Sequence, residues 1–212
     1  MSKLHLDGAD PFQDALFDLA DLARQDAVAT PWTGAPLSYT TDYYLPADLD
    51  AALDRYIAEH GTFGCFLDSR MWHRALCAKS FTGHGHSFDL FTADHRPEGG
   101  LLYQANCAVC RWHLIADSEN AAVEAWHDHA MPGWRGLPIV PRKLADRLDS
   151  TQKTAALLAW VEDHYPAEWL FDGAPIRTAR SPYGDRHVSG RSPLGGYDLG
   201  VRDDALDPEG AL

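Results

Sequence analysis

The 212-residue chain is short of basic residues, of cysteine and of long apolar runs. Eighteen Lys and Arg stand against 31 Asp and Glu, a formal net charge of −13 with histidine neutral. Phosphate-binding surfaces gain affinity from clustered cations, so this balance argues against nucleic acid and anionic membranes as general partners. The longest uncharged apolar stretch runs only from Thr154 to Val161, far below the ~20 residues of a spanning helix. The first ten residues place acids where a secretory signal would place its apolar stretch, so a cytoplasmic protein is expected. Four cysteines (Cys65, Cys77, Cys107 and Cys110) are then expected as thiols or metal ligands rather than disulfides. A chain of this length buries about 70% of its unfolded surface and needs no disulfide framework.

What is present is ordinary globular material, 45% hydrophobic and 11% aromatic, which excludes a wholly disordered chain. Residues 1–60 hold eleven acids against Lys3, Arg24 and Arg55, a local charge of −8. Asp10-Pro11 caps a helix in which Phe12, Leu16, Leu19 and Ala23 recur at helical spacing. Ser38 to Leu45 reads as a short strand. A second helix follows Pro46, with Leu49, Ala52, Leu53, Tyr56 and Ile57 on one stripe and Gly61 as its stop. Residues 62–87 have no clean period and read as loop.

Strand signals then begin. Phe88 to Asp94 alternates apolar and polar, Arg96-Pro97-Glu98-Gly99-Gly100 is a turn, Leu101 to Cys107 returns antiparallel, and Arg111 to Ala116 is a third strand. Ser118 caps a helix running to about Ala130, closed by Pro132-Gly133. A last helix follows Asp149-Ser150, with Leu157, Trp160, Val161 and His164 on one stripe, and ends at Pro166. From 171 to 200 nine residues are Gly or Pro, so the expectation is an extended tail that either packs through Ile176, Tyr183, Val188, Leu194 and Tyr197 or is partly disordered. Between 177 and 202, Arg177, Arg180, Arg186, Arg191 and Arg202 face Asp185 and Asp198, a local +3 that suits folding back onto the acidic N-terminal helices.

The informative stretch is Cys107-Ala-Val-Cys110-Arg-Trp-His113, followed by His127-Asp-His129. A tight turn between two strands brings both thiolates of a Cys-x2-Cys pair to one side, as zinc requires. Val123, Trp126, His127 and Ala130 share a helical face, so His127 is expected to point toward the hairpin. His127 and His129 lie about 200° apart on a regular helix; both reach one ion only if the last turn unwinds, which Pro132 favours through Met131. The expected ligands are therefore Cys107, Cys110 and His127, with His129 fourth, and His113, Cys65, Cys77 or a histidine from 84–86 as alternatives for that place. Trp112, Trp126 and Trp134 are expected to pack over the hairpin as a miniature core. A thioredoxin-like redox pair would place its first cysteine at a helix N-terminus, whereas strands flank this one.

Two catalytic readings compete. Gly83-His84-Gly85-His86 contains a His-x-His pair but not the following Asp-His of a di-metal hydrolase. Asp94-His95-Arg96-Pro97-Glu98-Gly99-Gly100 and Asn106-Cys107-Ala-Val-Cys110 resemble the HNH nuclease signature. That resemblance implies His95 as general base, with Asp94 and Asn106 beside it. Asn106 abuts the first cysteine, Pro97 is one place early and a second upstream Cys-x2-Cys is missing.

The run from Ser118 to Pro138, with Cys-Ala-Val-Cys before it and Arg186-His-Val-Ser-Gly-Arg-Ser-Pro-Leu-Gly-Gly-Tyr-Asp-Leu after it, resembles an uncharacterised family of actinobacterial and actinobacteriophage proteins, over roughly residues 84–200. The resemblance implies a phage- or mobile-element-linked cytoplasmic protein with a shared Cys-Cys-His site, and no mechanism. The expected architecture is α+β: an acidic helical region (1–61), a core (62–170) with a small antiparallel sheet, a zinc hairpin and a following helix, and an extended Gly/Pro-rich tail (171–212). The expected function is that of a non-enzymatic, zinc-stabilised protein acting through a macromolecular partner, itself a protein.

Overall fold

The computed structural model describes residues 43–67, 71–75, 81–94, 100–145, 151–180 and 187–202. The helix expected after Asp10 lies outside them, as does most of the strand expected at 38–45; Tyr43 to Leu45 form no strand. Helix α1 spans Pro46–Leu67 and breaks at Gly61, whose φ of 76° and ψ of 160° are not helical. Helix resumes beyond that break, so Gly61 interrupts the element rather than ending it.

Five strands follow: β1 (His73–Arg74), β2 (Phe81–Gly83), β3 (His86–Asp94), β4 (Leu101–Cys107) and β5 (Trp112–Ala116). They pair antiparallel in the order β1-β3-β4-β5, with β2 also on β3. The alternation that marks Phe88–Asp94 thus begins two residues earlier, at His86. His84 and Gly85 form the two-residue turn between β2 and β3, with φ of 52° and 78°. Positive φ at both centres is the type I′ pattern whose twist matches a hairpin.

Helix α2 (Glu119–Ala130) starts where Ser118 caps it, its Oγ accepting from the Ala121 N–H at 3.3 Å. The helix ends at Met131, and Gly133 turns with a φ of 98° into a single 3₁₀ turn at Trp134–Gly136. Strand β6 (Ile139–Val140), the short α3 (Arg142–Ala145) and α4 (Thr151–His164) follow. The Gly/Pro-rich segment then contributes β7 (Ile176–Arg180), β8 (His187–Val188) and β9 (Asp198–Arg202). With β6 these form a second sheet, ordered β6-β7-β9-β8, in which β6-β7 and β7-β9 are parallel. The extended segment is therefore part of the core. Gly196 packs so closely on the carbonyls of Gly173 and Ala174 that a Cβ would overlap them, which explains the glycine there. Ser192 Oγ donates to the Ala174 carbonyl at 2.7 Å and ties the same loop.

The architecture is α+β, as the pattern of elements predicts. The main core joins Phe88, Leu90, Ala105 and Cys107 of the first sheet to Val123 and Trp126 of α2, Leu157 and Val161 of α4, and Ile176 and Leu199 of the second sheet. On the other face of the first sheet, Phe91, Ala93 and Ile115 pack against Leu49 and Ala52 of α1 and against Met71 and Trp72. The second sheet is pinned to α2 by His187, whose Nε2 donates to Glu124 at 3.0 Å while its Nδ1 accepts from the Gly200 N–H at 3.2 Å. Among the described residues no helix is long and apolar enough to cross a membrane.

Candidate metal centre

Two hairpins and the end of α2 converge at one place. Cys107 is the last residue of β4 and pairs with Trp112, the first of β5, so Ala108 to Arg111 form the connecting turn. Arg111 closes that turn with a φ of 55°. The turn places Cys107 in the core and Cys110 at the surface. His86 enters from β3, where it shares a face with Phe88 and Leu90 at i, i+2 and i+4. Its Nδ1 lies 3.2 Å from Cys110 Sγ and 3.7 Å from Cys107 Sγ.

His129 enters from the last turn of α2. Its ring stacks on Trp112, centroids 4.5 Å apart and planes 2° apart, and meets His86 edge-on at 5.0 Å. The Nε2 of His129 is buried without a hydrogen-bond partner. One ligand atom from each of His86, Cys107, Cys110 and His129 can be chosen so that all four lie within 4.8 Å of one another. Such a cluster of two thiols and two imidazoles can hold a metal ion.

The supporting contacts fix the cluster. Ser87, next to His86, accepts the Ala108 N–H on its Oγ at 2.8 Å and accepts the Trp126 Nε1–H on its carbonyl at 2.8 Å. One residue thereby joins β3, the cysteine turn and α2. Burial pushes the Cys107 thiol up, but the rings of His129 and His86 and the N–H groups of Cys110 and Ser87 outweigh it and hold the thiol at about 5. For Cys110, burial and the neighbouring Cys107 both push the thiol up. One sulfur in this pair is thus readily ionised, the form in which cysteine binds a metal.

The structure brings Cys107, Cys110 and His129 together, and His127 lies outside their group. His127 is fully buried, its Nδ1 donating to the Val123 carbonyl at 2.7 Å, with the rings of Trp126, Trp134 and Tyr197 around it. Burial pulls its pKa down to about 3, so it is a neutral core histidine. The physical reason for the difference is the helical period. His127 and His129 lie about 200° apart around the regular helix, so the turn that aims His129 at the hairpins aims His127 away from them, toward Trp134 and Tyr197.

Of the alternatives, His113 is buried on the opposite face of the sheet beside Tyr43, at 5.4 Å between rings. His84 is exposed against Phe171. Asn106 is buried next to Cys107, also on the opposite face. Cys77 and His95, and the side chains of Cys65 and Asp94, lie outside the described residues. His86 was legible only as one histidine of the 84–86 group. The signal that singles it out is the period-2 continuation of Phe88 and Leu90 back to position 86, which puts His86 on the Cys107 face.

Over residues 34–209 the chain matches a family of unknown function (DUF6349), and it belongs to that family. No curated protein and no solved structure matches it.

Proposed function

We propose that this chain is a zinc-stabilised binding protein without catalytic activity of its own, in which His86, Cys107, Cys110 and His129 hold one Zn²⁺. The observation behind this reading is the convergence of four donor groups from three elements, with the buried Nε2 of His129 left unpartnered. Two thiolates and two imidazoles are a donor set that suits zinc. A tetrahedral ion with zinc–sulfur bonds of about 2.3 Å needs donors about 3.8 Å apart, so the four side chains need contract by only about 1 Å. Four protein ligands leave no open position for an activated water, which favours a structural role over a catalytic one.

The ion would tie the β2–β3 turn, the β4–β5 turn and the end of α2 into one unit. A net charge of −13 favours a protein partner over nucleic acid, and Val109, 63% exposed at the tip of the cysteine turn, offers an apolar contact. A phage or mobile element is the setting supported by the resemblance of residues 118–138.

The test is elemental analysis of protein purified without chelators or affinity-column metal. The reading expects one zinc per chain in the wild type and in His127→Leu, and none in Cys107→Ser. Wild-type protein free of zinc, or zinc lost with His127 and retained without Cys107, would refute it.

A further inference from the structure

A second set of buried polar side chains lies on the face of the first sheet turned away from the cysteines and histidines. Asn106 on β4 stands directly opposite Asp89 on β3 and His113 on β5, and residues directly opposite one another point to the same face. The row continues at both ends. The Tyr43 ring packs on His113, and Arg74 Nη1 donates to Asp89 at 2.6 Å while its Nη2 holds Asp50 at 2.7 Å.

Asn106 is 0% exposed and Tyr43 2% exposed. Yet neither Oδ1 nor Nδ2 of Asn106, nor the Tyr43 hydroxyl, has a hydrogen-bond partner. Gln104 Oε1, one row along on the same face, is also unpartnered. Buried donors and acceptors are almost always paired, and an unpaired one is destabilising. Several meeting along one row, beside an apolar cluster that could have continued over them, require a reason. The metal centre does not supply it, because it lies on the other face.

We propose that this row is the floor of a binding site for a nucleobase or nucleoside. A primary amide presents a donor and an acceptor side by side, the complement of a base edge. The Tyr43 and His113 rings supply aromatic faces on which a planar base stacks. Burial is the main reason the Tyr43 phenol is pushed up to about 12, so its hydroxyl remains a neutral donor. Arg74 is shared between Asp89 and Asp50, so that end of the row carries a net negative charge, which suits an uncharged base and disfavours a phosphate. The row reaches solvent at one end, where the side chains of Asp89 and Arg74 are 13% and 43% exposed. At the other end lies the Tyr43 ring, on a residue that belongs to no helix or strand.

The test is a titration of the full-length protein with adenosine, guanosine, cytidine and uridine, followed by ¹H–¹⁵N NMR. At least one nucleoside is expected to bind saturably and to shift the amides of Asp89, Asn106 and His113. Asn106→Leu should weaken that binding about tenfold or more and should melt no lower than the wild type, because the amide it removes makes no bond. Tyr43→Phe, which deletes only the hydroxyl, should weaken binding without changing the melting temperature. Absence of saturable shifts with all four nucleosides would overturn the proposal. So would binding that Asn106→Leu leaves intact, or an Asn106→Leu variant that melts well below the wild type and thereby shows the amide to be a structural part.

Discussion

The two faces of the first sheet both bury polar side chains, and they dispose of them differently. On the face toward α2, His86, Cys107, Cys110 and His129 point at one another, so one ion could satisfy all four. On the face toward α1, Asp89, Asn106, His113 and Tyr43 lie side by side, and the Asn106 amide and the Tyr43 hydroxyl are left with no hydrogen-bond partner. Adjacent residues of one strand, Asn106 and Cys107, belong to these two arrangements. A group that converges reads as part of what holds the fold. A group that does not converge reads as stability given up for binding.

The largest effect should come from breaking the convergent face. Cys107→Ser is expected to release the metal and cost about 4–5 kcal/mol, in the range of lost metal sites and other exceptional mutations. Calorimetry or denaturant melts of the variant beside the wild type check this. Its neighbour Asn106→Leu should by contrast melt no lower than wild type. If both variants lose stability equally, the contrast between the faces fails.

The second sheet covers the same convergent face, and its seating depends on Gly196. A Cβ there meets the Gly173 and Ala174 carbonyls, so Gly196→Ala should cost about 1–3 kcal/mol, the usual range for overpacking. Urea unfolding reads it out, and a neutral result would show that the loop does not sit against Gly173.

Finer discrimination comes from the two helical histidines. His127→Leu replaces a neutral ring whose Nε2 has no partner; it should cost less than about 1.5 kcal/mol and leave zinc content unchanged. His129→Leu should lose the metal. The smallest change is Ser118→Ala, which removes the cap of α2 and should cost about 1 kcal/mol with the metal retained, since the helix is also held by Trp126 on Ser87.

Parts of this arrangement were legible in the sequence for definable reasons. Period-2 alternation marked β3, the Gly99-Gly100 turn marked β4 as its return strand, the Ser118 hydroxyl marked the start of α2, and the Cys-x2-Cys spacing marked the turn between β4 and β5. His86 was harder to isolate, because a turn with His84 and Gly85 at positive φ makes the start of β3 look like loop. His127 was misleading for the opposite reason. Its apolar helical face was clear, but a face that is buried need not face the metal, and this one packs against Trp134 and Tyr197. The second sheet was hidden by its construction. Its strands are two to five residues long, and β6 finds its parallel partner β7 only after α3 and α4 intervene. Local periodicity cannot register such pairing.

The central claim is that His86, Cys107, Cys110 and His129 form one closed zinc site, and zinc K-edge X-ray absorption of the purified protein tests it most directly. The account predicts two sulfur ligands at about 2.3 Å and two nitrogen ligands at about 2.0–2.1 Å, reduced to no bound zinc in Cys107→Ser. A shell of oxygen and nitrogen without sulfur would contradict it.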